Sequence, residues 1–244
     1  MIAPVEISAG ATPETVLRWA YETFPRVAIV ASFQAESSVL IDMASRIRPD
    51  ATVITLDTGR LPAQTYDMID RVRDRYGIDI QVVSPDADDL QQMVGSHGIN
   101  LFLKSVEMRR LCCDVRKSRP LARALAGYDA WVTGLRRQQA ETRSQTAVVA
   151  PDPEHAGLTK IAPLAAWSKD QVWAYIRENE LPYHSLYDLG YTSIGCAPCT
   201  RATTAGEEER AGRWWWEQDE VKECGLHWTP DNRPLRTTKG TTNA

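Results

Sequence analysis

The feature that most constrains the fold is a strand, turn and helix pattern that recurs along the first half of the chain. Val27-Ala28-Ile29-Val30-Ala31 is a short unbroken apolar run, the signature of a strand covered on both faces. It leads through Ser32-Phe33-Gln34-Ala35-Glu36-Ser37-Ser38 into the helically spaced Val39, Leu40, Ile41 and Met43. The pattern returns with β-rich Thr52 to Leu56, the turn Asp57-Thr58-Gly59-Arg60 and a helix from Pro62 to Tyr76. Ile78 to Val83 predicts a third strand, a helix follows from about Ser105 to Ala126, and Ala130 to Thr133 predicts a fourth strand ending in Gly134-Leu135-Arg136-Arg137. Alternating strands and helices imply an α/β fold, a doubly wound, mostly parallel sheet with flanking helices. Ligands of such sheets bind beyond the carboxyl ends of the strands, where the Ser32, Asp57 and Gly134 loops emerge.

At the front, Thr12-Pro13 marks a capped helix start, and Ser168 with Gln171 forms a capping box that opens another helix. After about residue 150 the alternation fades into a loop-rich C-terminal segment. Two units are expected: residues 1–205 as the α/β body, and 206–244 as a mobile tail, its last dozen or so residues polar and without apolar periodicity. With 244 residues, 43% of them hydrophobic, the chain can bury a full core. A net charge of −4 argues against a nucleic-acid partner, so any anion site must be local. No run of about 18 apolar residues predicts a membrane span. The first residues lack the basic and apolar regions of a signal peptide, so a cytoplasmic protein is expected. A homo-oligomer is left open.

Five cysteines carry the chemistry. Cys112-Cys113 and Cys196-Ala197-Pro198-Cys199 supply four thiolates, the number that closes a tetrahedral metal or a cubane cluster. Adjacent side chains on a helix diverge, so a vicinal pair suits two neighbouring metal atoms of one cluster better than one small ion. Taken singly, Cys112-Cys113 also reads as two buried small side chains, and Cys196 with Cys199 as a redox dithiol or half a zinc site. Cys224 is left over, in Lys222-Glu223-Cys224-Gly225-Leu226-His227, where Lys222 and a protonated His227 would favour thiolate. The Ser32 to Ser37 turn can cradle a phosphate on the helix dipole, although it lacks the lysine and glycines of a Walker loop. Arg60, Arg116, Lys117, Arg136, Arg137, Arg143, Arg210 and Arg213 fall near these turns or the cysteines and offer donors for phosphate or sulfate oxygens. For Trp214-Trp215-Trp216, packing is the favoured reading over an aromatic wall. The same features leave open an adenylating enzyme with a structural zinc, and a redox sensor engaging a protein through Cys224.

The cysteine set and the Lys222 to His227 motif together closely resemble the assimilatory adenylyl-sulfate reductases, within the wider phosphoadenylyl-sulfate reductase family, over roughly residues 25–228. The resemblance extends to a modified phosphate loop of the ATP-pyrophosphatase type at Ser32 to Ser38. It also takes in Leu56-Asp57-Thr58-Gly59, Gly134-Leu135-Arg136-Arg137 and Thr142-Arg143. It implies an adenine-nucleotide α-hydrolase type of fold and a [4Fe–4S] cluster on Cys112, Cys113, Cys196 and Cys199. Lys117 would link that cluster electrostatically to the substrate, and Arg210, Arg213 and His227 would contact the phosphosulfate. Ser32 and Arg60 would help bind the nucleotide, with Phe33, Asp57, Thr58, Gly59, Gly134, Arg136, Arg137 and Arg143 in the same binding loops. Cys224 would be the nucleophile that takes sulfur from adenylyl sulfate, passing through S-sulfocysteine and releasing AMP. Thioredoxin, or a glutaredoxin-like reductant, would then free sulfite, as cysteine biosynthesis from sulfate requires. Where the family often has His-Glu before the cysteine pair, this chain has Arg110-Leu111.

Overall fold

A computed structural model describes residues 10–155, 157–217 and 223. Its centre is a six-stranded sheet in the order β3-β2-β1-β4-β6-β5. The strands are β1 (Val27–Val30), β2 (Thr52–Leu56), β3 (Ile80–Val83), β4 (Ala130–Val132), β5 (Val149–Pro151) and β6 (Thr159–Ile161). All neighbours pair in parallel except β5, which runs antiparallel to β6 along one edge. The expected doubly wound, mostly parallel sheet is therefore present. The chain lays β1, β2 and β3 outward in one direction and then places β4 on the other side of β1, with Ala28 beside both Thr52 and Trp131. That reversal opens a crevice above β1 and β4.

Side-chain alternation along the strands divides the core into two layers. Val27, Ile29, Val53, Ala130 and Val132 join the larger core, which includes Leu17 from α1 (Pro13–Thr23), Leu40 from α2 (Ala35–Ile47), Val72 from α3 (Ala63–Tyr76) and Ile176 from α7 (Lys169–Glu178). Ala28, Ile54 and Trp131 face the opposite way and meet Leu121 and Leu125 of α6 (Arg119–Leu125). The predicted caps of α1 and α7 form: Thr12 Oγ1 accepts from Thr15 N–H, and Ser168 Oγ and Gln171 exchange the two hydrogen bonds of a capping box.

The predicted helix from Ser105 is present in three pieces: α5 (Val106–Cys113), a π-turn (Asp114–Ser118) and α6. Three elements were not expected. α4 (Ala87–His97) buries only Met93, and β5 and β6 are three-residue strands within the segment predicted as fading alternation. Residues 206–217 of the expected tail fold back on the body: Thr200 bridges Arg213, and Trp214 is fully buried with the cysteines. No helix among the described residues is long and apolar enough to cross a membrane.

Candidate active site

The loops after β1, β2 and β4 meet over the crevice, as expected, and line a cleft of about 1090 Å³ of empty space counting its open mouth. The turn after β1 is held tightly. Phe33 is fully buried with a left-handed backbone (φ 55°), a conformation that bulky residues adopt only where packing over-determines it. Ser37 Oγ accepts from Ser32 N–H at 3.1 Å, and Gln34 Nε2 donates to Ser32 Oγ at 3.1 Å. Gln34 Oε1 also accepts from Ile194 N–H at 2.7 Å, which ties this turn to the Cys196 loop. Across the cleft Gly134 packs against α2 so closely that a Cβ there would lie 2.8 Å from Glu36 Cβ. Only glycine fits that approach.

Ser32, Thr58, Gly134, Lys117, Arg143, Arg210 and Arg213 line the cleft, so seven of the predicted binding residues come together. The others take different places. Asp57 braces its own turn by accepting from Gly59 N–H and Tyr66 O–H, both at 2.8 Å. Gly59 has φ 67° and passes close to Arg116. Arg60 leaves the cleft for the neighbouring cavity, donating to Ile99 O and Asn100 Oδ1 with its guanidinium over Phe102. Arg136 is buried in ion pairs with Glu36 (2.7 Å) and Glu209 (2.8 Å), and Arg137 is exposed and donates to Thr146 O. Both brace the walls and do not line the cleft. Cys224, Lys222 and His227 lie outside the described residues.

At the floor of the cleft lies a second, smaller cavity, lined by Cys112, Cys113, Cys196 and Cys199 together with Arg109, Arg116, Lys117 and Trp214. The cysteines reach it from two directions. Helical spacing puts Arg109, Cys112, Cys113, Arg116 and Lys117 on one broad face, and the π-turn, closed by Arg119 N–H donating to Asp114 O, continues that face into α6. Such turns recur at functional sites. From the other side, Ala197 N–H donates to Arg60 O at 2.8 Å, and Thr58 Oγ1 lies 3.3 Å from Cys196 Sγ, so the β2 loop fixes the Cys196 loop. Arg116 Nη1 donates to Thr58 O at 2.6 Å, and a Cβ on Gly195 would clash with Arg213. Cys196 and Lys117 line both cavities and so form their common wall.

All four cysteines are buried free thiols, and their environments differ. Burial pushes the Cys112 thiol up, and pushes Cys199 up to about 11 with the help of negative charge on Cys196. Cys196 is also desolvated by burial, yet Lys117, the Thr58 hydroxyl, Arg213 and Arg116 bring it below the ordinary thiol range. Among the described residues no three His, Cys, Asp or Glu side chains form a group that could hold a single metal ion; the thiols are spread around the cavity.

Whether the surroundings fit an anionic sulfur-ligated group can be judged from the buried donors. Arg109 Nη2, Arg116 Nε, Arg213 Nε and Trp214 Nε1 are buried without a hydrogen-bond partner. Each such donor costs about 1–3 kcal/mol if left unpaired, and the three on Arg109, Arg116 and Trp214, which line the four-thiol cavity, call for an electron-rich acceptor there. A thiolate-bound cluster is one, and it would also deprotonate the thiols that burial otherwise keeps neutral.

Trp214 is the pivot of this wall. It carries a left-handed backbone (φ 44°), and the guanidiniums of Arg109, Arg213 and Arg210 sit 4.5, 4.7 and 6.0 Å from the centre of its indole ring. Trp216 packs on Phe102 and Trp215 is exposed, so the tryptophan run divides between packing and surface. Arg109 is a functional candidate that sequence reasoning passed over, although its place three residues before Cys112 put it on the cysteine face. Glu223 is another: its carboxylate is 2% exposed and takes two hydrogen bonds from Arg143 and one from Thr142. Burial would raise its pKa, but the Arg143 hydrogen bonds and the Arg210 charge hold it down at about 2.

Comparison with known proteins agrees with this geometry. Residues 26–202 match the phosphoadenosine phosphosulfate reductase domain family. The chain is 49% identical over 201 residues to an adenosine 5′-phosphosulfate reductase of Allochromatium vinosum, covering 82% of this chain and 78% of that protein. It is 46% identical to the enzyme of the same name from Burkholderia cepacia, covering 85% and 83%. Among solved structures it is similar to the phosphoadenylyl-sulfate reductase of Candida auris, with a TM-score of 0.68, 32% identity and coverage of 79% and 91%. It also shares a fold with the FMN adenylyltransferase of Candida glabrata, with a TM-score of 0.54 at 15% identity, covering 86% and 75%. The match over residues 26–202, which takes in the whole sheet and all four clustered cysteines, places the chain in the phosphoadenosine phosphosulfate reductase domain family.

Proposed function

We propose that this protein reduces adenylyl sulfate to sulfite and AMP with electrons from thioredoxin or a similar dithiol protein, through an S-sulfocysteine on Cys224. The observation that carries this reading is the shared wall: a cation-lined nucleotide cleft and a four-thiol cavity abut through Cys196 and Lys117. The names of the relatives at 46–49% identity support adenylyl sulfate, without a 3′-phosphate, as the substrate.

Cys112, Cys113, Cys196 and Cys199 would hold a [4Fe–4S] cluster, which when bound supplies a fixed negative charge that orders the cations between it and the substrate. Lys117, Arg210 and Arg213, which line the anion end of the cleft, bind the phosphosulfate oxygens and stabilise charge on the departing phosphate. Val30, Leu56, Leu121 and Trp131 give the same cleft an apolar part suited to the adenine. The Cys224 thiolate attacks the sulfur; the bond from sulfur to the phosphate oxygen breaks, and AMP leaves with that oxygen. A thiolate of the reductant then attacks Cys224 Sγ, expelling sulfite and leaving a mixed disulfide, which the second reductant thiol resolves. The dithiol loses two electrons and the sulfur gains them.

Replacing Cys224 by serine tests the assignment. Sulfite release should fall to background while AMP binding, measured by titration calorimetry, stays within about twofold of the parent. Retained turnover would refute the reading.

A further inference from the structure

Glu223 immediately precedes Cys224 in the sequence, and it is gripped from two sides. Its carboxylate accepts from Arg143 Nε at 2.8 Å and Nη2 at 2.7 Å, from Thr142 Oγ1 at 3.0 Å and from Arg210 Nη2 at 3.4 Å. Its carbonyl oxygen accepts from Arg109 Nη1 at 2.7 Å. Arg143 and Arg210 line the nucleotide cleft, whereas Arg109 belongs to the cysteine-bearing α5 and lines the thiol cavity. One residue thus joins the two halves of the site, through contacts that span 13 to 114 positions of sequence.

We propose that Glu223 is a positioning residue for sulfur transfer: it pins the chain just before Cys224 between the cysteine helix and the anion end of the cleft. The inference deepens the reductase reading and rests on Cys224 as nucleophile. The charge arithmetic favours an anchor over a rival for the substrate. Arg143 directs Nε and Nη2 to Glu223 and Nη1 to Gln139 Oε1 at 2.7 Å, so its fork is directed to the protein. Lys117, Arg210 and Arg213 still line the cleft as cations for the phosphosulfate. A buried bidentate pair of this kind fixes orientation as well as charge, which a reacting group needs because small displacements of an attacking atom lower rate steeply.

The test uses the full chain, purified without oxygen, as the parent, Glu223→Gln, Glu223→Asp and the surface control Asp50→Asn. Three quantities are read: kcat and KM for sulfite release, the AMP dissociation constant, and the rate of iodoacetamide alkylation at Cys224 by peptide mass spectrometry. Glu223→Gln should lose about tenfold or more in kcat, with AMP affinity within about twofold of the parent and alkylation of Cys224 several-fold faster. Glu223→Asp, which keeps the charge on a shorter arm, should fall between, and Asp50→Asn should match the parent. Unchanged kcat and alkylation in Glu223→Gln would overturn the proposal, as would a gain in AMP affinity, the mark of a carboxylate that merely competes with the ligand. If the parent itself releases no sulfite, the reductase reading fails, and the alkylation rates still decide whether Glu223 is an anchor.

Discussion

His184 is fully buried against α3, with Nε2 3.0 Å from Thr65 Oγ1 and Nδ1 accepting from Leu186 N–H. That pattern fixes the neutral tautomer with its proton on Nε2. Burial, assisted by the Arg71 charge, lowers its pKa to about 4 from the ordinary 6.5. Between those values the unfolded chain binds the proton and the folded chain does not, so stability rises with pH across this window and is lost as pH falls through it. The difference corresponds to about 3 kcal/mol. Urea unfolding at pH 7 and pH 4.5 should show a decline that is distinctly smaller in His184→Gln; an equal decline in both proteins would contradict the assignment. Gly134 illustrates a different constraint, one of space. Gly134→Ala would press a methyl group into Glu36 and the start of α2, where overpacking typically costs about 1–3 kcal/mol. A lower melting temperature together with weaker AMP binding is expected, whereas a change in melting temperature alone would show that the cleft does not depend on this contact.

Among the elements, legibility followed burial. β1 and β2 could be read because strands covered on both faces are rich in apolar and β-branched residues, and the helices after them because their apolar residues recur at helical spacing. β5 and β6 could not: each has three residues, mostly half-exposed, and Pro151 and Lys160 interrupt any apolar run. α4 escaped for the same reason, with Met93 its single buried residue. The site divides in the same way. Cysteines, loop glycines and the cap residues announce themselves by type and spacing. The walls of the site are pairings across the fold, Glu36 with Arg136 at 100 positions and Arg143 with Glu223 at 80, and no local pattern encodes them. Arg137 shows the converse, since an arginine beside a binding loop looks the same in sequence whether it turns into the cleft or out to solvent.

Across the whole molecule, an acidic chain gathers a set of buried cations at one place. The sheet reversal beside β1 creates the crevice, and the cysteine helix closes its floor. Arg109, Arg116 and Lys117 are buried there beside four thiols, with Arg213 on the cleft side; Glu217 pairs with Arg109 at 2.6 Å, and the remaining positive charge favours a negative group among the thiols. The account therefore depends on what those thiols hold. Iron and acid-labile sulfide, measured per chain on protein purified without oxygen, test this most directly. About four of each per chain are expected. Protein that folds and binds AMP yet carries neither, or carries a single zinc, would contradict the account.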